Sequence, residues 1–185
     1  MRSFIALEFD DELKSRLDFI QRKLKYSSSK GSWINSNNFH MTLKFLGEID
    51  SNHIDDIGRL LDNISGRFNP IRLSFDELGV FRNGGEIRVL WIGTKGEIDI
   101  LNNLYKELEN EMLNLGFKKE KREFKPHITL ARNVVFDKKL FEVKELIDKD
   151  LNYNFVLDRI TLMKSEEIMK KRIYSQIKTY KFEKK

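Results

Sequence analysis

The chain has 185 residues, 40% hydrophobic and 34% charged, with 14 Phe, 2 Pro and no Cys. That composition describes a folded chain and excludes disulfides, thiolate metal sites and cysteine nucleophiles. The formal net charge of +5 resides in Lys164–Lys185, where 8 basic residues meet 3 acidic ones, and Lys118–Lys125 adds a local cluster of 5 against 2. Both clusters attract polyanions with salt-sensitive affinity, although a solvated basic surface has the same composition. No apolar run approaches the roughly eighteen residues that a membrane span needs. The start, Met1–Phe9, is too short an apolar stretch for a signal peptide. A cytoplasmic monomer with no membrane partner is therefore expected, as one domain spanning residues 1–185.

Arg2–Phe9 has the pattern of an inner strand. Asp10 or Asp11 can cap the helix that follows, in which Leu13, Leu17, Ile20 and Leu24 recur at helical spacing. Ser27–Ser32 ends that helix as a loop of expected mobility, and Trp33–Asn35 is a short extended piece. His40–Leu46 is a clear strand that Gly47 stops. Asp50 or Ser51 caps the next helix, with its stripe on Ile54, Ile57, Leu60, Leu61 and Ile64. Strands at Ile71–Leu78 and Ile87–Ile92 join through Asn83-Gly84-Gly85, a step that tolerates the positive φ of a hairpin. A third helix spans about Ile98–Leu115, ended by Gly116. Extended segments follow at Phe117–Glu123 and Ile128–Asn133, then a short helix within Lys138–Lys149, and strands at Phe155–Met163 and Arg172–Phe182. Short strands, a hairpin and the lack of a glycine-rich phosphate fingerprint favour an α+β fold of non-parallel sheets over a doubly wound one.

One motif occurs twice: Phe39-His40-Met41-Thr42-Leu43-Lys44-Phe45-Leu46-Gly47 and Lys125-Pro126-His127-Ile128-Thr129-Leu130-Ala131-Arg132. Only 5 residues are Thr and 3 are His, so two His-x-Thr steps are a strong coincidence. Strand alternation puts His40, Thr42 and Lys44 on one face, and Met41, Leu43 and Phe45 on the core face. His127 and Thr129 likewise share a face, with Arg132 on the opposite one. Imidazole titrates near neutrality, so one copy can donate a proton while the other accepts one. Phosphodiester cleavage needs both roles, and threonine hydroxyls can donate to phosphate oxygens that gather charge in the transition state. Such a site needs no metal and no cofactor. The remaining histidine, His53, sits at a helix start as surface, and no zinc-binding pattern is present.

These residues make the chain similar to the RNA 2′,3′-cyclic phosphodiesterases, also called the bacterial and archaeal 2′-5′ RNA ligase family, of the two-histidine phosphoesterase superfamily. The resemblance extends from Arg2-Ser3-Phe4-Ile5-Ala6-Leu7 through both motifs, Phe81 with Arg88-Val89-Leu90-Trp91, Leu162-Met163-Lys164-Ser165, and Tyr174. It implies a bilobal fold of two pseudo-symmetric antiparallel sheets with outer helices and a central cleft. It also implies metal-independent hydrolysis of RNA 2′,3′-cyclic phosphate ends, or of a small cyclic phosphodiester, to 2′-phosphomonoesters, with reverse 2′-5′ ligation in some relatives. His40 is then the general acid and His127 the general base, with Thr42 and Thr129 on phosphate oxygens.

Three further residues carry two readings each. Arg132 suits phosphate, but alternation turns it from the cleft unless it reaches round the strand end or holds a structural carboxylate. Lys44 is a substrate contact or a rim lysine. Trp33 stacks on a base or simply packs. Phe45 and Trp91 are expected in the core. Rival functions are a related enzyme acting on another 2′-5′ or cyclic nucleotide, and a non-catalytic RNA-binding module; the paired histidines speak against the latter.

Overall fold

The structure, a computed structural model, describes residues 1–183. Lys184 and Lys185, the end of the basic tail, lie outside the described residues. The elements in chain order are β1 (Arg2–Glu8), α1 (Asp11–Tyr26), β2 (Ser28–Trp33), β3 (His40–Glu48), α2 (Ser51–Ser65), β4 (Ile71–Asn83) and β5 (Glu86–Gly96). They continue with α3 (Ile98–Asn114), β6 (His127–Phe136), α4 (Leu140–Glu145), β7 (Asn154–Leu157), β8 (Arg159–Ile168) and β9 (Lys171–Lys181). One sheet has the order β3-β1-β8-β9 and the other β2-β6-β5-β4-β7, all antiparallel. The fold is α+β, as expected, but the sheets are interleaved in sequence. The first takes β1 and β3 from the start of the chain and β8 and β9 from its end.

Each helix is placed by its stripe. Asp10 caps α1 by accepting the Leu13 N–H at 2.8 Å. Leu13, Leu17, Ile20 and Leu24 of this helix are almost fully buried, each contributing about 1.5–3 kcal/mol of transfer free energy. The helix follows a strand of the first sheet yet lies against β2 of the second, where Gln21 donates to the carbonyls of Ile34 and Leu130 at 2.8 and 2.9 Å. Asp50 caps α2, which packs on β8, β9 and α3. One buried apolar cluster runs through the interior and takes side chains from both sheets and from α1, α2 and α3. No helix among the described residues is long and apolar enough to cross a membrane.

Several segments differ from their sequence expectation. Ser28–Ser32, expected as loop, joins Trp33, expected as extended, in the edge strand β2, which pairs with β6 despite a serine-rich, apolar-poor sequence because its partner supplies the ladder. β3 continues through Gly47, whose φ of 74° accommodates a register shift against β1. Phe117–Glu123 forms no strand: it is pinned to α3 by Phe124 stacking on Tyr105, ring centroids 4.0 Å apart, and by Glu109 accepting the Glu120 N–H at 2.8 Å. The expected strand Phe155–Met163 breaks at Asp158 into β7 and β8, which belong to different sheets.

Candidate active site

The two histidines begin their strands, β3 and β6, and the same local device orients each ring. His40 Nδ1 lies 2.7 Å from the Asn38 carbonyl, and His127 Nδ1 lies 2.7 Å from the Lys125 carbonyl. A carbonyl only accepts, so Nδ1 carries the proton in both rings and Nε2 is the unprotonated atom of the neutral form. Thr42 Oγ1 stands 2.9 Å from His40 Nε2 and donates to it. Both histidines and both threonines line one cleft of about 330 Å³.

A β-bulge follows each motif. On β3, Ala6 opposes Thr42 while Ile5 opposes Lys44, leaving Leu43 as the extra residue. On β6, Trp91 opposes Thr129 while Leu90 opposes Ala131, leaving Leu130 extra. A bulge shifts side-chain alternation by one, so the simple alternation read from the sequence fails beyond each threonine. Lys44 turns away from the His40 face and is only 2% exposed, paired with Glu109 and donating to the Lys118 carbonyl at 2.8 Å. Lys44 as a substrate contact is thereby corrected. Phe45, expected in the core, is 62% exposed and lines the cleft. Arg132 swings onto the histidine face and lines the cleft too, so the objection from alternation disappears. The carbonyl of bulged Leu130 accepts from Ile34 N–H at 2.9 Å and from Gln21.

Trp33 opposes Ala131, packs against the core and does not line the cleft; Ile34 does. The expected base-stacking role of Trp33 is not supported by its position. Each imidazole instead stands among aromatic rings. His40 lies 4.9 Å from Phe4 and 5.3 Å from Tyr174, and His127 lies 5.1 Å from Phe81 and 6.1 Å from Trp91, ring centroid to centroid. Trp91 is buried, as expected, yet it forms the wall behind His127. His53 stays remote at the start of α2, bonded to Asp50.

The cleft is electropositive. Arg2, Arg132 and Arg172 line it, and among the described residues no acidic side chain does. Sequence reasoning missed Arg2, and it noticed Arg172 only as part of a basic tail. Burial pushes the His40 pKa down to about 4, opposed by the Asn38 carbonyl and the Glu8 charge and reinforced by Arg132 and His127. Burial also lowers His127, against its bond to Lys125, with Arg132 and the Lys125 ammonium adding to the shift. Both rings are therefore neutral near pH 7 before an anion arrives. Glu8, opposite His40 in the ladder, is held by Thr161 Oγ1 at 2.6 Å and Gln176 Nε2 at 2.7 Å. His127 has Lys125 nearby instead. No group of three or more His, Cys, Asp or Glu side chains fit to hold a metal occurs among the described residues.

The duplication has a counterpart in known proteins. The LigT-like phosphoesterase family profile matches the chain twice, over residues 7–91 and 92–174, and each match holds one His-x-Thr step. An RNA 2′,3′-cyclic phosphodiesterase of Methanocaldococcus jannaschii is 33% identical over 183 residues, covering 97% of this chain and 100% of its own. One from Thermotoga maritima is 34% identical over 148 residues, 80% of this chain and 78% of its own. Among solved structures, TT0787 of Thermus thermophilus superposes with a TM-score of 0.82 at 22% identity, covering 100% of this chain and 99% of that one. E. coli LigT complexed with 3′-AMP does so at 0.74 and 22%, covering 98% and 96%. With two profile matches that together take in nearly the whole chain, and one histidine strand in each, the chain belongs to the LigT-like phosphoesterases.

Proposed function

We propose that this enzyme hydrolyses RNA 2′,3′-cyclic phosphate ends to 2′-phosphomonoesters, with His127 as general base and His40 as general acid. The observation that carries the reading is the matched pair of histidines, each with its Nδ1–H bound to a backbone carbonyl so that its Nε2 is turned to the cleft side chains, that of His40 toward Thr42. Water attacks phosphorus in line with the 3′ oxygen and gives its proton to His127 Nε2. The new P–O bond forms as the P–O3′ bond breaks, and His40 Nε2 protonates the departing O3′. Thr42, Thr129 and Arg132 hold the non-bridging oxygens, whose charge rises in the transition state.

The acid and base assignment follows the family resemblance, and the charges beside the rings bias them in the same sense, although burial is the largest effect and lowers His40 to about 4. A bound phosphate adds negative charge to a cleft that holds both imidazoles neutral. Glu8 favours the proton on His40, whereas Lys125 disfavours one on His127. Curated relatives that carry this activity in their names support the substrate class, as does the 3′-AMP bound to a protein of the same fold. With a 5′-hydroxyl end in place of water, the same two proton transfers in the same direction give a 2′-5′ linkage: the hydroxyl proton goes to His127, the new P–O5′ bond forms, and the departing O3′ takes the proton of His40.

The test is incubation of EDTA-treated protein with RNA ending in a 2′,3′-cyclic phosphate, followed by identification of the product isomer. A 2′-phosphate is expected, with activity falling about 10²–10⁴-fold in His40→Ala and in His127→Ala. A 3′-phosphate product, turnover that survives loss of both histidines, or activity only with an added divalent cation would reject the mechanism. Turnover of 2′-5′ oligonucleotides or free cyclic nucleotides but not of RNA ends would leave the histidine chemistry and change the substrate.

A further inference from the structure

A second and larger cavity, about 720 Å³, lies on the same sheet as His127. Strand β6 serves both. His127, Thr129 and Arg132 line the cleft, and Asn133, Val134, Val135 and Phe136 line the cavity. The changeover falls at Asn133, which has a φ of 51°, and where the ladder to β2 slips so that Ser32 opposes Arg132 but Lys30 opposes Val135.

The cavity wall is basic. Lys30 comes from β2, Arg82 and Arg88 from the β4–β5 hairpin, and Lys138 from the turn after β6. The one acidic residue in the lining, Glu86, lies 3.6 Å from Arg88. Lys30 and Lys138 enter no ion pair among the described residues. Between these cations, Ile87 and Val134 contribute buried apolar side chains. Lysine on an edge strand guards against sheet-to-sheet pairing, which would account for Lys30. It does not account for two arginines on a hairpin inside the sheet order, nor for Lys138.

We propose that this cavity is a second binding site, for the single-stranded RNA that precedes the terminal phosphate. Cations arrayed along a groove with an apolar floor suit a flexible phosphodiester chain with bases turned inward. Thr129 and Val135 are separated by about 20 Å at the usual strand rise of about 3.3 Å per residue. A cyclic mononucleotide in the cleft does not span that distance, and an oligonucleotide does. The site thus makes RNA ends better substrates than free cyclic nucleotides. This rests on the reading of the histidine cleft as the place of the cyclic phosphate.

The experiment compares wild type with Lys30→Glu/Arg88→Glu/Lys138→Glu, and with the milder Lys30→Gln/Arg88→Gln/Lys138→Gln should the first fail to fold. Turnover is measured on an RNA decamer ending in a 2′,3′-cyclic phosphate and on 2′,3′-cyclic AMP. Binding of a fluorescent decamer with a plain 3′-hydroxyl is followed against salt. The charge change is expected to raise KM for the decamer at least tenfold, to leave kcat/KM for cyclic AMP within twofold, and to flatten the log–log salt slope by about 2, near 0.7 for each cation lost. Equal decamer KM values, a parallel fall on both substrates, or polyglutamate competing as well as RNA would overturn the proposal. If wild type turns over neither substrate, the reading of the cleft fails, and decamer binding alone decides the groove.

Discussion

Lys44 lies on the core side of the strand that carries His40 and donates to Glu109 of α3, with both side chains buried. The pair is locked at each end, since Lys44 also donates to the Lys118 carbonyl and Glu109 accepts the Glu120 N–H. It thus ties the first histidine strand to the segment leading into the second. Removing one partner strands a buried charge, which typically costs about 3–5 kcal/mol, whereas replacing both can approach neutrality. Urea unfolding should therefore show Lys44→Met destabilised by about that amount and Lys44→Met/Glu109→Leu largely recovered. Additive losses in the double variant would show that the two groups are not coupled.

Gly79 faces Trp91 across the β4–β5 ladder, and a Cβ there would meet the indole ring at 2.1 Å. The backbone of Gly79 is not in the left-handed region; space alone demands the glycine. Because Trp91 backs His127, Gly79→Ala should cost about 1–3 kcal/mol as overpacking and lower kcat more than its stability loss explains. Thermal melting together with turnover below the melting range checks this. Unchanged kcat at full folding would mean that the ring has room to move without disturbing His127.

The sequence made the histidines, the threonines and the helical stripes legible, because periodicity and a repeated tripeptide report on short stretches of chain. It misplaced Lys44 and Phe45 for one reason: a bulge is a relation between two strands, and Leu43 has nothing in its own sequence to mark it as the extra residue. The same bulge at Leu130 brings Arg132 into the cleft, against simple alternation. Ser28–Ser32 was unreadable as a strand because its stability comes from β6, about 100 positions away. Glu8 was hidden too, its influence on His40 being a matter of ladder register.

Phe45 and Arg132 occupy equivalent positions, each five residues after its histidine, and both line the cleft. The exposed ring of Phe45 is suited to stack on a nucleobase, worth about 1–3 kcal/mol. Phe45→Ala should raise KM for cyclic-phosphate RNA roughly 5- to 150-fold at nearly constant kcat. Trp33→Ala, whose half-buried ring packs against the core, should lower the melting temperature and leave KM unchanged. Steady-state kinetics on the two variants separates the positions, and the reverse pattern would return the stacking role to Trp33.

The pH dependence follows from the direction in which each ring is shifted. Catalysis in the proposed sense needs His40 protonated and His127 neutral. Burial lowers both rings in the free enzyme, His40 to about 4, so kcat/KM should decline as pH rises through the acidic range toward neutrality. The phosphate of a bound substrate raises the affinity of His40 for its proton, so the alkaline limb of kcat, which reports on the complex, should lie at higher pH than that of kcat/KM. Glu8→Gln keeps an amide in place of the carboxylate but removes the charge that favours the His40 proton. Its kcat/KM at neutral pH should fall, because less of the enzyme then holds His40 protonated. Profiles of kcat and kcat/KM for wild type and Glu8→Gln test both statements. An unchanged kcat/KM at neutral pH in Glu8→Gln would exchange the roles of the two histidines.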